Sequence, residues 1–235
     1  MDNEHHKKPE HIPHTSSVII NKNEKKPVDS KKSLIVILII VGIIILLLGS
    51  IFLLKYVVKN KDTVTYNQYV FQKFEGNKWM TEQMIKGQLY NILFYNNPTQ
   101  VSNIAIDPIS INRIREFTLN TNGTVYVSID PNESSKVVLA AVEYVRILGT
   151  VYNMYNLNVK SAFNHYPINQ TTDYPIITCS NQSKDTLVIY QTVTDKNLVS
   201  IAGNCVIIES KNASESIRVA DAFAFKLLNI IPLSS

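Results

Sequence analysis

The chain is poor in the residues that build catalytic and metal sites. Beyond residue 33 it holds one histidine, His165, and two cysteines, Cys179 and Cys205. Two thiols and one imidazole fall short of the four ligands of a structural zinc site. No G-x-S-x-G, H-E-x-x-H, Walker or G-x-G-x-x-G pattern occurs, so the common hydrolase, metalloprotease and nucleotide-binding signatures are missing. A strong excess of one charge is missing too. Residues 59–235 carry fifteen basic and fourteen acidic side chains, which leaves no basic field for nucleic acid. Internal repeats of fixed period are also lacking.

One absence points somewhere definite. From Leu34 to Leu54 there is neither a charge nor a proline, and almost every residue is Leu, Ile or Val. At about 1.5 Å per residue a helix of this length spans roughly 31 Å, matching a bilayer core of about 30 Å. The run is apolar on all sides, as lipid contact requires. It is too long for the apolar part of a cleavable signal peptide, and it passes into Lys55-Tyr56-Val57-Val58-Lys59 without an A-x-A site. No cysteine lies near it to carry a lipoprotein anchor. Lys31-Lys32-Ser33-Leu34 lacks the small processing residue of a pilin, and no acid follows before Asp62. The reading is an uncleaved signal-anchor over residues 34–58, in contact with the lipid bilayer.

Five lysines precede the run (Lys22, Lys25, Lys26, Lys31, Lys32) and four follow it (Lys55, Lys59, Lys61, Lys73). This small bias favours a cytoplasmic N-terminus. Residues 1–33 are charged, proline-bearing and nearly free of large apolar side chains, and read as a disordered cytoplasmic tail. His5, His6, His11 and His14 read there as part of a flexible polar tail. Lys25, Lys26, Lys31 and Lys32 can rest on anionic headgroups at about 1 kcal/mol each.

Residues 59–235 are long enough for one domain with a substantial core. Thr65 to Phe74 reads as a strand, and Trp79 to Tyr95 as a hairpin turning at Lys86-Gly87. A short strand is expected over 101–106, then a helix from Asp107-Pro108 to Phe117. Residues 123–129, 134–148 and 158–163 read as strand, helix and strand, with Val138, Ala141, Val142, Val145 and Leu148 as the apolar face and Gly149 as the stop. Further strands are expected at 176–179, 186–193 and 199–209, the last with a bulge at Gly203-Asn204. A helix follows from Ala213 to Leu228. The expected fold class is α/β or α+β: an N-terminal transmembrane helix, then one mixed-sheet extracytoplasmic domain with about three helices.

Both cysteines fall in expected strands, and a two-cysteine domain facing an oxidising exterior reads as one disulfide, Cys179–Cys205. For a loop of this size the chain-entropy account gives roughly 3–4 kcal/mol. Sequons at Asn122, Asn132, Asn169, Asn181 and Asn212 are candidate glycosylation sites, in a number that this Asn, Ser and Thr content yields by chance. Asp130-Pro131-Asn132-Glu133-Ser134-Ser135 lies where a strand passes into a helix, but it lacks phosphate-approach glycines and reads as helix capping. His165 in Asn164-His165-Tyr166-Pro167 reads as a loop histidine. Asp107, Asp130, Asp173 and Asp221 make an active site only if the fold gathers them around it.

The stretch Asn204-Cys205-Val206-Ile207-Ile208-Glu209 is followed by Ala220-Asp221 and Leu227-Leu228-Asn229-Ile230, and preceded by Pro175-Ile176-Ile177-Thr178-Cys179. Over roughly the last 60 residues this resembles uncharacterised single-span archaeal surface proteins. The resemblance implies a small anchored surface domain in an archaeon and transfers no activity and no functional residue. The functional expectation is a non-enzymatic binding or structural domain of the cell envelope, meeting another envelope protein or a glycan and using no cofactor. The alternatives are a membrane-tethered hydrolase or transferase, and an accessory subunit whose helix pairs laterally through the face shared by Gly42 and Gly49.

Overall fold

The computed structural model describes residues 30–120, 122–169 and 171–233. The tail expected over residues 1–33, with its four histidines, lies outside the described residues as far as residue 29. The chain divides into two units, the first ending at Leu54 and the second beginning at Lys55.

Helix α1 runs Ser30–Lys61. Within it Leu34–Lys55 is long and apolar enough to cross a membrane, and none of that segment is buried against protein. Twenty-two residues rise about 33 Å. Ser50, the hydroxyl within this run, donates to Leu47 O at 2.8 Å, so its polar atom is satisfied inside the helix.

The second unit is a mixed α/β domain with two sheets. The first sheet is an antiparallel meander of β1 (Thr63–Tyr66), β2 (Tyr69–Phe74), β3 (Lys78–Ile85) and β4 (Gln88–Phe94), in that order. The single strand expected over 65–74 is two strands. Asn67 adopts a left-handed φ of 52°, which asparagine tolerates, and its amide donates to Ile230 O at 3.0 Å. The β3–β4 hairpin turns where expected, with positive φ at both Lys86 and Gly87, the requirement of a type I′ turn. Alternate residues Phe71, Trp79, Ile92 and Phe94 are buried on one face, the period-two pattern of a half-covered sheet.

The strand expected over 101–106 gives way to a single helical turn, α2 (Pro98–Val101), leaving only β5 (Ala105–Ile106) extended. Asn97 explains this: its Oδ1 accepts from Thr99 N and Gln100 N, while Gln100 reaches back to Asn97 N, a capping box with proline in the first turn. Helix α3 (Pro108–Phe117) starts on Asp107, which accepts from Ile109 N at 2.9 Å. Next come β6 (Thr124–Ile129), α4 (Ser135–Leu148), β7 (Asn158–Phe163), β8 (Thr186–Val193), β9 (Leu198–Ala202), β10 (Cys205–Ser210) and α5 (Ala213–Leu227). With α2 counted, the described residues of the domain hold four α-helices beyond α1.

The second sheet has the order β5-β9-β10-β8-β6-β7. Strands β6, β7, β8 and β10 run parallel, whereas β9 and β5 run the other way. Residues 199–209 are not one bulged strand but an antiparallel hairpin, β9 and β10, closed by Gly203-Asn204 with φ of +65° at the glycine. Residues 176–179 are not a strand either. Ile176 makes one bridge to Phe163, and Cys179 opens a short 3-10 turn (Cys179–Asn181).

Helices α4 and α5 lie between the two sheets. Phe225 of α5 packs on Phe71 and Phe94 of the meander, at centroid distances of 5.6 and 4.5 Å. From the other side of the same helix Ser216 bonds Ser210 of β10 at 2.6 Å. Tyr144 of α4 meets Phe223 edge-on and donates to Gln191 of β8 at 2.7 Å. A helix covered on both sides needs small residues where it is crowded, and Ala220, Ala222 and Ala224 supply them.

Candidate functional site

The parallel strands β6, β7, β8 and β10 end along one edge of the second sheet, where open α/β sheets offer their loops to ligands. The loops after β6 and β7 meet there. His165 Nε2 lies 3.5 Å from Asp130 Oδ1 and 3.0 Å from Asn132 Nδ2, and Nδ1 lies 2.5 Å from Asn164 Oδ1. Ile168 N donates to Asn132 Oδ1, which turns the Asn132 amide nitrogen toward the imidazole. The Asn132 amide nitrogen thus stands at Nε2 and the Asn164 amide oxygen at Nδ1, so both ring nitrogens have partners. Asp130 is itself engaged, accepting from Asn132 N at 2.7 Å in an Asx turn. The cluster is half-exposed and ties two loops together.

The other aspartates lie elsewhere. Asp107 caps α3, Asp173 is exposed in the 164–185 crossover, and Asp221 is fully buried in α5. Only Asp130 joins His165, so the four do not form a carboxylate site. Among the described residues no group of three or more His, Cys, Asp or Glu side chains is placed to hold a metal ion.

Cys179 and Cys205 are joined in a disulfide, with Cα atoms 5.3 Å apart. The bond fastens the crossover of residues 164–185 to β10, helped by Ser128 Oγ donating to Ile177 O and Asn204 Nδ2 donating to Ser183 O at 2.7 Å. All five sequon asparagines are exposed. Asn132 uses both amide atoms in the His165 cluster, while Asn181 and Asn212 use Oδ1 to accept backbone N–H groups at turn and helix starts.

Two features escaped the sequence. The first is the covered face of α4. The residues expected to face the core include Val138 and Val142, yet these are 45% and 49% exposed. The buried face is Val137, Ala140, Ala141, Tyr144, Ile147 and Leu148. The helix is apolar on more than one side, so periodicity could not choose between them. Val138, Val142 and Val145 instead edge a groove over Ile129 of β6 and Val159 of the edge strand β7, enclosing about 140 Å³. The available signal was the surplus: α4 carries more apolar positions than one stripe can use.

The second is a buried polar cluster between the helices and the meander. Asp221 Oδ2 accepts from Asn96 N at 2.7 Å and Asn96 Nδ2 at 2.8 Å, while its Oδ1 is buried without a partner. Arg146 of α4 donates to Leu93 O of β4 and to the buried Glu143. Burial, and then the neighbouring Glu143 charge, push the Asp221 carboxyl up to about 8. Burial also raises Glu143, against the pull of Arg146 and Lys78.

No family model, curated protein or solved structure matches this chain.

Proposed function

We propose that the chain is a single-pass envelope protein with a cytoplasmic N-terminus and an extracytoplasmic α/β domain that binds another envelope protein or a glycan, without catalysis. The apolar helix supports the anchor. The Cys179–Cys205 bond supports an oxidising compartment for the domain, since such bonds are rare among reduced cytosolic proteins. The His165 ring is engaged at both nitrogens, by Asn132 and by Asn164, which argues against a free hydrolytic base.

The observation that carries the binding reading is the α4 groove. Single exposed apolar residues are ordinary, but Val138, Leu139 and Val142 form a continuous exposed stripe beside an open strand edge. A photo-crosslinker placed at Val142 in the full chain, in native membranes, tests it. The expected result is a discrete envelope adduct that Val138→Asp abolishes without changing the thermal unfolding of the domain. Absence of any adduct with protein or glycan overturns the reading. Protease added to right-side-out vesicles tests the topology: the domain is expected to be cleaved while the tail survives.

A further inference from the structure

We propose that the four-stranded meander is latched to the helix layer by a protonated carboxyl, so that Asp221 holds its proton while the layers are docked and its ionisation releases β4 and the turn behind it. The geometry imposes this. Asp221 sits on α5, fully buried, and its Oδ2 is the sole acceptor shown for both Asn96 N and Asn96 Nδ2, which close the end of β4. From α4, Glu143 faces it as a second buried carboxyl, and Arg146 supplies a single guanidinium that also holds Leu93 O of β4. Lys78 of β3 adds a more distant positive charge on the Glu143 side and stands over the Tyr95 ring at 4.6 Å, and the Tyr152 hydroxyl lies beside Arg146. The half-buried Arg146 guanidinium is thus bonded to Glu143 and Leu93, and it bears on Asp221 only as the weakest of its charge influences. A second negative charge at Asp221, with one oxygen lacking any donor, is the charge this site does not neutralise.

The direction in pH follows. The docked Asp221 retains its proton well above the ordinary value of 3.8, because burial and Glu143 both oppose ionisation. Docking is fully supported below the ordinary value and weakens as pH rises through about 8.

Hydrogen exchange of the full chain in mild detergent, corrected for intrinsic rates, reads the latch at residues 88–97. Protection there is expected to fall by up to about tenfold per pH unit as pH rises from the ordinary carboxyl range toward about 8 and to level off above it, while β6 and β8 keep theirs. Asp221→Asn, which keeps an acceptor for Asn96 but cannot ionise, is expected to flatten that dependence. Glu143→Gln removes the opposing charge and is expected to bring that levelling-off to lower pH. Infrared difference spectra of the unaltered chain supply a readout that needs no variant to fold: a protonated-carboxyl band is expected to disappear around pH 8, where the loss of protection levels off. An unmoved levelling-off in Glu143→Gln, a retained pH dependence in Asp221→Asn, or no titrating carboxyl band overturns the proposal.

Discussion

Gln191 shows what one buried amide does in this domain. Its Oε1 accepts from the Tyr144 hydroxyl at 2.7 Å and its Nε2 donates to Val137 O at 3.0 Å, all without solvent. One side chain of β8 thereby fixes the height of α4 on the second sheet. Tyr144→Phe preserves the ring and leaves the amide oxygen unpaired, so urea denaturation is expected to show a loss of about 1–3 kcal/mol. A variant as stable as the parent would mean that another donor, or water, reaches Gln191. Phe225 marks the other side of the helix layer. It touches Phe71 and Phe94 at once, and Phe225→Ala is expected to lower stability by about 3–5 kcal/mol, measured in the same way. Neither role was legible from the chain, because an apolar or amide residue in a strand or helix carries no mark of the partner that fills its contacts.

Among the elements, local chemistry was readable and pairing was not. Asp107 before Pro108, Ser134 before α4 and Lys86-Gly87 between two alternating strands each announce a boundary through atoms within four residues. The Gly203-Asn204 pair was misread because a glycine inside an apolar run signals a bulge and a tight turn alike. The turn is decided by β10 folding back on β9. A Cβ at Gly203 would stand 2.4 Å from Gln182 Oε1, the atom that accepts from Asn204 N, and its φ is +65°. A Cβ at Gly87 meets nothing within 4 Å. Gly87→Ala is therefore expected to cost about 1–2 kcal/mol for the left-handed backbone alone. Gly203→Ala is expected to cost visibly more in parallel thermal melts, and equal costs would show that Gln182 swings away freely. The disulfide acts at the same scale. Replacing both cysteines by serine is expected to remove roughly 3 kcal/mol and to open residues 164–185 to limited proteolysis. A crossover that stays resistant would show that its hydrogen bonds hold it unaided.

At the scale of the whole molecule the apolar helix and the domain make separate demands. Carbonate extraction of membranes is expected to leave the full chain in the pellet, and deletion of residues 34–54 is expected to release it. A full chain that washes off would remove the span. The α/β class follows from the alternation of strands and helices, whereas the placing of α4 and α5 between two sheets does not. Of the candidate site, His165 and Asp130 were singled out as residue types, and their meeting depends on the strand order that brings the ends of β6 and β7 side by side.

The amino-acid sequence by itself determined the membrane-length helix, the Asp107 helix start and the Lys86-Gly87 hairpin, because each is set by neighbours a few residues away. Tertiary structure alone decided which side of α4 is covered, where β10 inserts between β8 and β9, and why an aspartate is tolerated in the core. Asn96 and Asp221 lie 125 positions apart. Their bond exists only once the meander has closed over α5, and no local pattern encodes a contact whose energy depends on that burial.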